Sequence, residues 1–232
     1  MRGVTISSVM RHMPNLGRLT VYLGPAATLV YVAFTILAWV AYPTTYGPFN
    51  TNWLSDLGNR TVNPSGATFY VIGCIATGIL VGAAFVGLHA WHQGSARVQT
   101  YLLACVQVAG VLGSVAIVMT AIYTIDQFGA HEFWSRMINA GFAVSLFVSP
   151  FALRRRGMRL WPLIIVSAIG YGSIVARLIF VDAHWLEWPS IGLLLVYMWV
   201  IALMTKAQLG SARSPATPSA MTRSSVTTPV SN

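Results

Sequence analysis

Charge is what this chain has least of. Asp, Glu, Lys and Arg make up 8% of its 232 residues, where a soluble domain carries about 25%. So few charges cannot build a water-facing surface, so most of the surface must face lipid. Acids are scarcer still, at five against 14 basic residues, and Lys206 is the single lysine. The net charge of +9 does not indicate a nucleic-acid partner, because the arginines fall at the ends of apolar runs and not on one soluble basic face. Cysteine is limited to Cys74 and Cys105. Their expected depths differ by about 15 Å at 1.5 Å of rise per residue. A disulfide needs Cα atoms within about 7 Å, so both are read as free core thiols. No cleavable leader is evident: the apolar run after Arg2, Arg11 and Arg18 is too long for a signal segment and reads as a membrane span.

What the chain does have is 56% hydrophobic residues, gathered into six runs near 21–41, 66–92, 99–123, 133–153, 160–181 and 188–205. Each is long enough to cross about 30 Å of hydrocarbon, which takes roughly 20 residues. The expected fold is therefore all-α, a polytopic bundle of six transmembrane helices over 21–205. A short segment, 1–20, precedes it, and a Ser/Thr/Pro-rich tail, 206–232, follows and is expected to be disordered.

Basic residues set the expected orientation. Arg2, Arg11, Arg18, Arg97, Arg154, Arg155, Arg156, Arg159, Lys206, Arg213 and Arg223 fall on the side of the N-terminus, and only Arg60, Arg136 and Arg177 on the other. Both termini are expected in the cytoplasm, in a cell (inner) membrane. Asp56, Asp126, Glu132, Asp182 and Glu187 all fall on the outer side, with His131 and His184. Trp39, Trp53, Trp134, Trp185 and Trp188 mark the outer boundary, and Trp91 and Trp161 the inner one. Small residues, as in Gly78-Ile-Leu-Val-Gly82 and Ala109-Gly110-Val-Leu-Gly113, let helices approach closely. They serve packing within the bundle or a helix-mediated homo-oligomer.

Three outer segments could carry chemistry. In the first outer loop, Asn52, Ser55 and Asp56, followed by Gly58, offer short polar side chains that either cap a turn or line a pocket. Asn59-Arg-Thr61 is a glycosylation sequon, meaningful only in a eukaryotic secretory setting. Next, Asp126 and His131-Glu132 stand before the fourth span. Histidine and glutamate can move protons or bind metal, but Glu132 and Arg136 are also an i, i+4 pair. Asn139 lies deeper on the same helix. Third, Arg177 sits within an apolar run, where a charge marks a functional site unless it snorkels outward. Its expected partner is Asp56, and Asp182, His184 and Glu187 follow it. Carboxylate and imidazole together at Asp126, His131, Asp182 and His184 would suit Zn²⁺ or Mn²⁺, although no His-Glu-x-x-His spacing is present. No cofactor can be named from the sequence.

The first-loop pattern also carries a resemblance. A helix, Tyr42-Pro43, then Asn52-Trp53-Leu54-Ser55-Asp56-Leu57-Gly58, a proline and a second helix resemble domain-of-unknown-function family 998, six-helix membrane proteins of bacteria and archaea. The Ser-Asp-x-Gly element is similar to the first outer loop of the Frag1/DRAM/Sfk1 membrane proteins, some of which are linked to lipid remodelling or asymmetry. His131, at the outer start of the fourth helix, fits too. Family 998 has no settled activity, so the resemblance implies a fold more than a mechanism.

Three functions compete. One is a protein that binds or acts on a lipid headgroup, with Asp56, His131 and Arg177 lining one cavity and with His131, Glu132 or Asp56 as the candidate catalytic groups. The second is a small transporter, which would place ionisable groups near the bilayer midplane, where these spans have almost none. The third is an accessory subunit whose polar residues are only caps and ion pairs.

Overall fold

Backbone amides in hydrocarbon must be satisfied within their own segment, which makes long apolar runs helical. The computed structural model describes residues 16–43, 46, 52–92, 95–155, 157–180 and 183–211. These form six long helices, with no strand among the described residues. They are α1 (Leu16–Val40), α2 (Ala67–Gly87), α3 (Arg97–Ile122), α4 (Phe128–Ala152), α5 (Trp161–Ile179) and α6 (Glu187–Ser211). A 3₁₀ turn, Leu88–His92, prolongs α2. Pro162 starts α5, where a missing N–H costs nothing. Glu187 starts α6, where a carboxylate favours the helix dipole. α6 runs to Ser211, so residues 206–211 belong to the last helix and not to a tail. Residues 1–15 and 212–232 lie outside the described residues.

Five of these stretches are long and apolar enough to cross a membrane: α1, α2 with its 3₁₀ extension, α3, α5, and α6 with the turn before it. Such helices are those of a multi-pass membrane protein. α4 is equally long, but its first half carries His131, Glu132, Ser135, Arg136 and Asn139, and it is not among the five. The polar helix is thus the one that opens on the candidate site.

Each helix packs on its neighbours in the chain, and α1 packs on α6, closing a ring. Close approach depends on absent side chains. A Cβ at Gly141 would lie 2.7 Å from the Ala109 carbonyl, and one at Gly78 2.8 Å from that of Ser114. Gly110 faces the Phe85 ring in the same way. The small-residue runs are spent on contacts inside the bundle. Large apolar residues such as Leu29, Ile79, Leu112 and Ile165 point outward, as they should towards lipid. One correction concerns the thiols: Cys74 is buried, but Cys105 is exposed on α3 and is no core residue.

The two ends of the ring differ in charge. At one end the connections carry Asp56 and Asp126, Glu187 opens α6, and Glu132 lies in the second turn of α4. At the other lie Arg97, Arg154, Arg155 and Arg159. There Arg155 donates to the Trp91 carbonyl (2.6 Å) and to Ser95 Oγ (2.9 Å), and Gln99 donates to the Arg154 carbonyl (2.7 Å). Trp91 is also corrected. It is 1% exposed and donates to Thr205 Oγ1 at 3.0 Å, so it is a core residue and not an interfacial anchor.

Candidate functional site

Three 3₁₀ turns, Leu54–Gly58, Ile125–Gln127 and His184–Leu186, connect helices at the acidic end. Short polar side chains shape them by accepting from backbone amides. The Asp56 carboxylate accepts from Trp53 N–H (2.9 Å) and Asn52 Nδ2 (3.4 Å), closing its own turn. Asn59 Oδ1 accepts from the amides of Thr61 (2.9 Å) and Val62 (3.1 Å). Asp126 fastens this loop to the start of α4. It accepts from Arg60 N–H (3.0 Å), Thr61 Oγ1 (3.2 Å) and Thr124 Oγ1 (2.9 Å). Desolvation alone would raise its pKa, but these donors outweigh that and hold the carboxyl below the usual aspartate value. Tyr46, in the same loop, donates to the Trp53 carbonyl at 2.6 Å. Burial, then Glu187 and Asp56, push its phenol well up.

His131 is 9% exposed. Its Nδ1 faces the carbonyls of Tyr123 (2.8 Å) and Thr120 (3.2 Å) at the end of α3. Carbonyls only accept, so this nitrogen carries the proton, an assignment from partner chemistry. His131 also lines the cavity. One and two turns further along α4, Ser135 and Asn139 line the same wall.

Arg177, near the end of α5, pairs with Glu187 and not with Asp56, as the sequence had suggested. Its Nη2 lies 3.4 Å from Glu187 Oε1, and the two side chains are 17% and 10% exposed. Asp56 is already committed to its own turn, whereas Glu187 opens the next helix. The other Glu187 oxygen accepts Leu54 N–H at 2.7 Å, so this carboxylate joins α5, α6 and the first loop. The guanidinium also lies over the Trp53 ring (5.9 Å), and Trp53 stacks on His184 (4.1 Å between centroids).

These groups line two adjoining pockets that share part of their wall and are taken together as one cavity. An outer chamber of about 540 Å³ is bounded by Trp53, Phe128, Glu132, Arg136, Leu178 and His184. It narrows to a shaft of about 80 Å³. Ser55, His131, Ser135, Asn139 and Arg177 line both parts. Every helix contributes to the shaft wall: Tyr31, Tyr70, Ile117, Asn139, Arg177 and Leu194 stand one on each. The shaft reaches Phe142 and Met198. There Phe142, Phe85 and Tyr197 form an aromatic floor, with centroids 6.1 and 6.5 Å apart and each at most 2% exposed. Below it Leu88, Leu103, Leu146 and Leu163 fill the bundle.

The sequence-derived candidates therefore divide. His131, Asn139, Arg177, Glu187 and Ser55 meet at the shaft, and His184 stands at the chamber. Asp56 and Asp126 turn to backbone amides, so the expectation that Asp56 joins His131 and Arg177 in the cavity wall fails. Glu132 borders the chamber but pairs with Arg136 at 2.6 Å, and both are well exposed, a contact worth little. Asp182 lies outside the described residues. Among those described, no three His, Cys, Asp or Glu side chains converge as metal ligands. Ser135 lies within the second candidate segment but the sequence reading assigns it no role, though its place four residues after His131 and four before Asn139 is a visible signal. Tyr31 and Tyr70 gave no such signal, because their spans look uniformly apolar. No family model, no curated protein and no solved structure matches this chain.

Proposed function

We propose that this is a six-span inner-membrane protein, with both termini cytoplasmic, that binds a lipid headgroup in the chamber at its extracytoplasmic end. The resemblance to family 998 and to the Frag1/DRAM/Sfk1 proteins belongs to the same proposal. Arginines concentrated at the opposite end of the ring support the orientation.

One observation carries the headgroup reading. Arg177 has five N–H donors and spends them, among the described residues, on one long contact to Glu187. It lines both parts of a cavity whose deeper wall is largely apolar. A half-buried cation with unspent donors, above apolar walls, suits an anionic group attached to a hydrocarbon. His131, with Nδ1 held by carbonyls, lines the same cavity and stays fixed beside that group. Binding is favoured over transport because the aromatic floor closes the shaft.

Native mass spectrometry of the detergent-purified protein tests this reading. A co-purifying lipid is expected on the wild type and on Arg177→Lys. On Arg177→Gln its occupancy should fall about tenfold or more, the loss of one charge-assisted hydrogen bond. Equal occupancy in all three, or none in any, contradicts the reading.

A further inference from the structure

Resting on that headgroup reading, we infer the class of occupant: an amphiphile with a single hydrocarbon chain and an anionic head. The head lies at Arg177, beside Ser55, Ser135 and Asn139, and the chain runs down the shaft.

Three features argue for one chain. The first is capacity: the shaft holds about 80 Å³, where one water needs about 10–15 Å³ on this measure. That admits one thin occupant and not two chains side by side. The second is enclosure. Five helices line the shaft along its depth and α5 adds Arg177 at the mouth, so a chain inside meets side chains from every helix but α5 below its head. The third is depth. From His131 to Phe142 on α4, from Tyr70 to Val81 on α2 and from Glu187 to Met198 on α6, the lining runs span roughly 16 Å each. That is about half of a ~30 Å hydrocarbon layer, or one leaflet. A chain whose head sits at the outer interface ends at the aromatic floor.

The choice of an anion follows from which charges remain available. Asp56 and Asp126 are held by backbone amides. Glu187 is held by Leu54 N–H and Arg177, and Glu132 by Arg136. Among the described residues, the donors still open to the shaft are those of Arg177, with Ser55, Ser135 and Asn139 beside them. A cationic or zwitterionic ammonium finds no uncommitted carboxylate there. A carboxylate and a phosphate head share the required chemistry.

The test uses the full chain in nanodiscs of phosphatidylcholine and reads the motionally restricted fraction of spin-labelled lipids by electron paramagnetic resonance. The probes are a labelled fatty acid, a labelled lysophosphatidate, the methyl ester of the fatty acid, and a labelled two-chain phosphatidate. We expect the two single-chain anions to be restricted, with both the ester and the two-chain phosphatidate weaker by about tenfold or more, the scale of one charge-assisted hydrogen bond. Arg177→Gln should bring the acid to the ester's level. Ile191→Phe, which narrows the shaft without touching Arg177, should displace the acid as well. If the two-chain phosphatidate is restricted as strongly as the single-chain anions, the single-chain inference falls while headgroup binding stands. If the ester matches the acid, the anionic head is wrong. If no probe is restricted beyond its level in empty nanodiscs, both readings fail together.

Discussion

Aspartates 56 and 126 and histidine 131 show why like residues at one end of a bundle acquire different duties. An aspartate within a turn finds amides two to four residues away, and Asp56 takes that nearest solution. Asp126 bridges two connections instead, through Arg60 and Thr61. Asp126→Asn should lower stability by on the order of 1 kcal/mol, the scale of a lost charge-assisted contact at a partly exposed site. The pH dependence has a definite sign. Because the folded carboxyl is held below its unfolded value, its contribution is complete above about pH 4. It disappears as pH falls through the folded value. Thermal melts of wild type and Asp126→Asn should therefore differ at neutral pH and converge in acid. A gap that persists or widens in acid would refute this assignment. The acids' location at one end was legible from the sequence. Which of them would be consumed by backbone amides was not, because that depends on whose N–H lies within 3 Å after the connections meet. The same contingency gave Arg177 to Glu187 and not to Asp56.

At the scale of elements, α4 decides the site. Its polar face, His131–Ser135–Asn139, follows helical spacing and could be read directly. The apolar run at 133–153 was equally plain, yet the helix begins at Phe128 because the polar turn before the run continues it. The opposite face of α4 is set by Gly141, which lets the backbone approach Ala109 and Gly113. Gly141→Ala places a methyl group 2.7 Å from a carbonyl oxygen. The rigid neighbour is backbone, so the helices must separate. A cost of about 1–3 kcal/mol is expected, the range for overpacking. Gly172→Ala, where nothing lies within 4 Å, should cost little. Melting the two variants side by side checks the claim, and comparable losses would remove Gly141 from its packing role. Tyr31, Tyr70 and Thr77 illustrate what remained hidden. Within apolar spans their hydroxyl groups could face lipid or cavity, and only the rotation of α1 and α2 in the ring chooses.

At the scale of the whole molecule, the described residues form a ring of helices with an acidic end, an aromatic waist and a packed end rich in arginine. Charge asymmetry between the ends could be read without coordinates, since it needs only the order of apolar runs and the positions of arginine. Closure of α1 on α6, and hence a central shaft, could not, because it arises from contacts between residues far apart in the chain. The central claim is that the chamber beside His131 and Arg177 opens to the extracytoplasmic side and ends at the Phe85–Phe142–Tyr197 floor. Thiol labelling tests it most directly. Ser135→Cys on the chamber wall and Leu146→Cys below the floor are placed, one at a time, in a chain carrying Cys74→Ala and Cys105→Ala. A membrane-impermeant reagent is then applied to intact cells and to inverted vesicles. The account predicts labelling of Ser135→Cys in intact cells, none in inverted vesicles, and none of Leu146→Cys from either side. Labelling of Ser135→Cys from the arginine-rich side, or of Leu146→Cys from the chamber side, would contradict it.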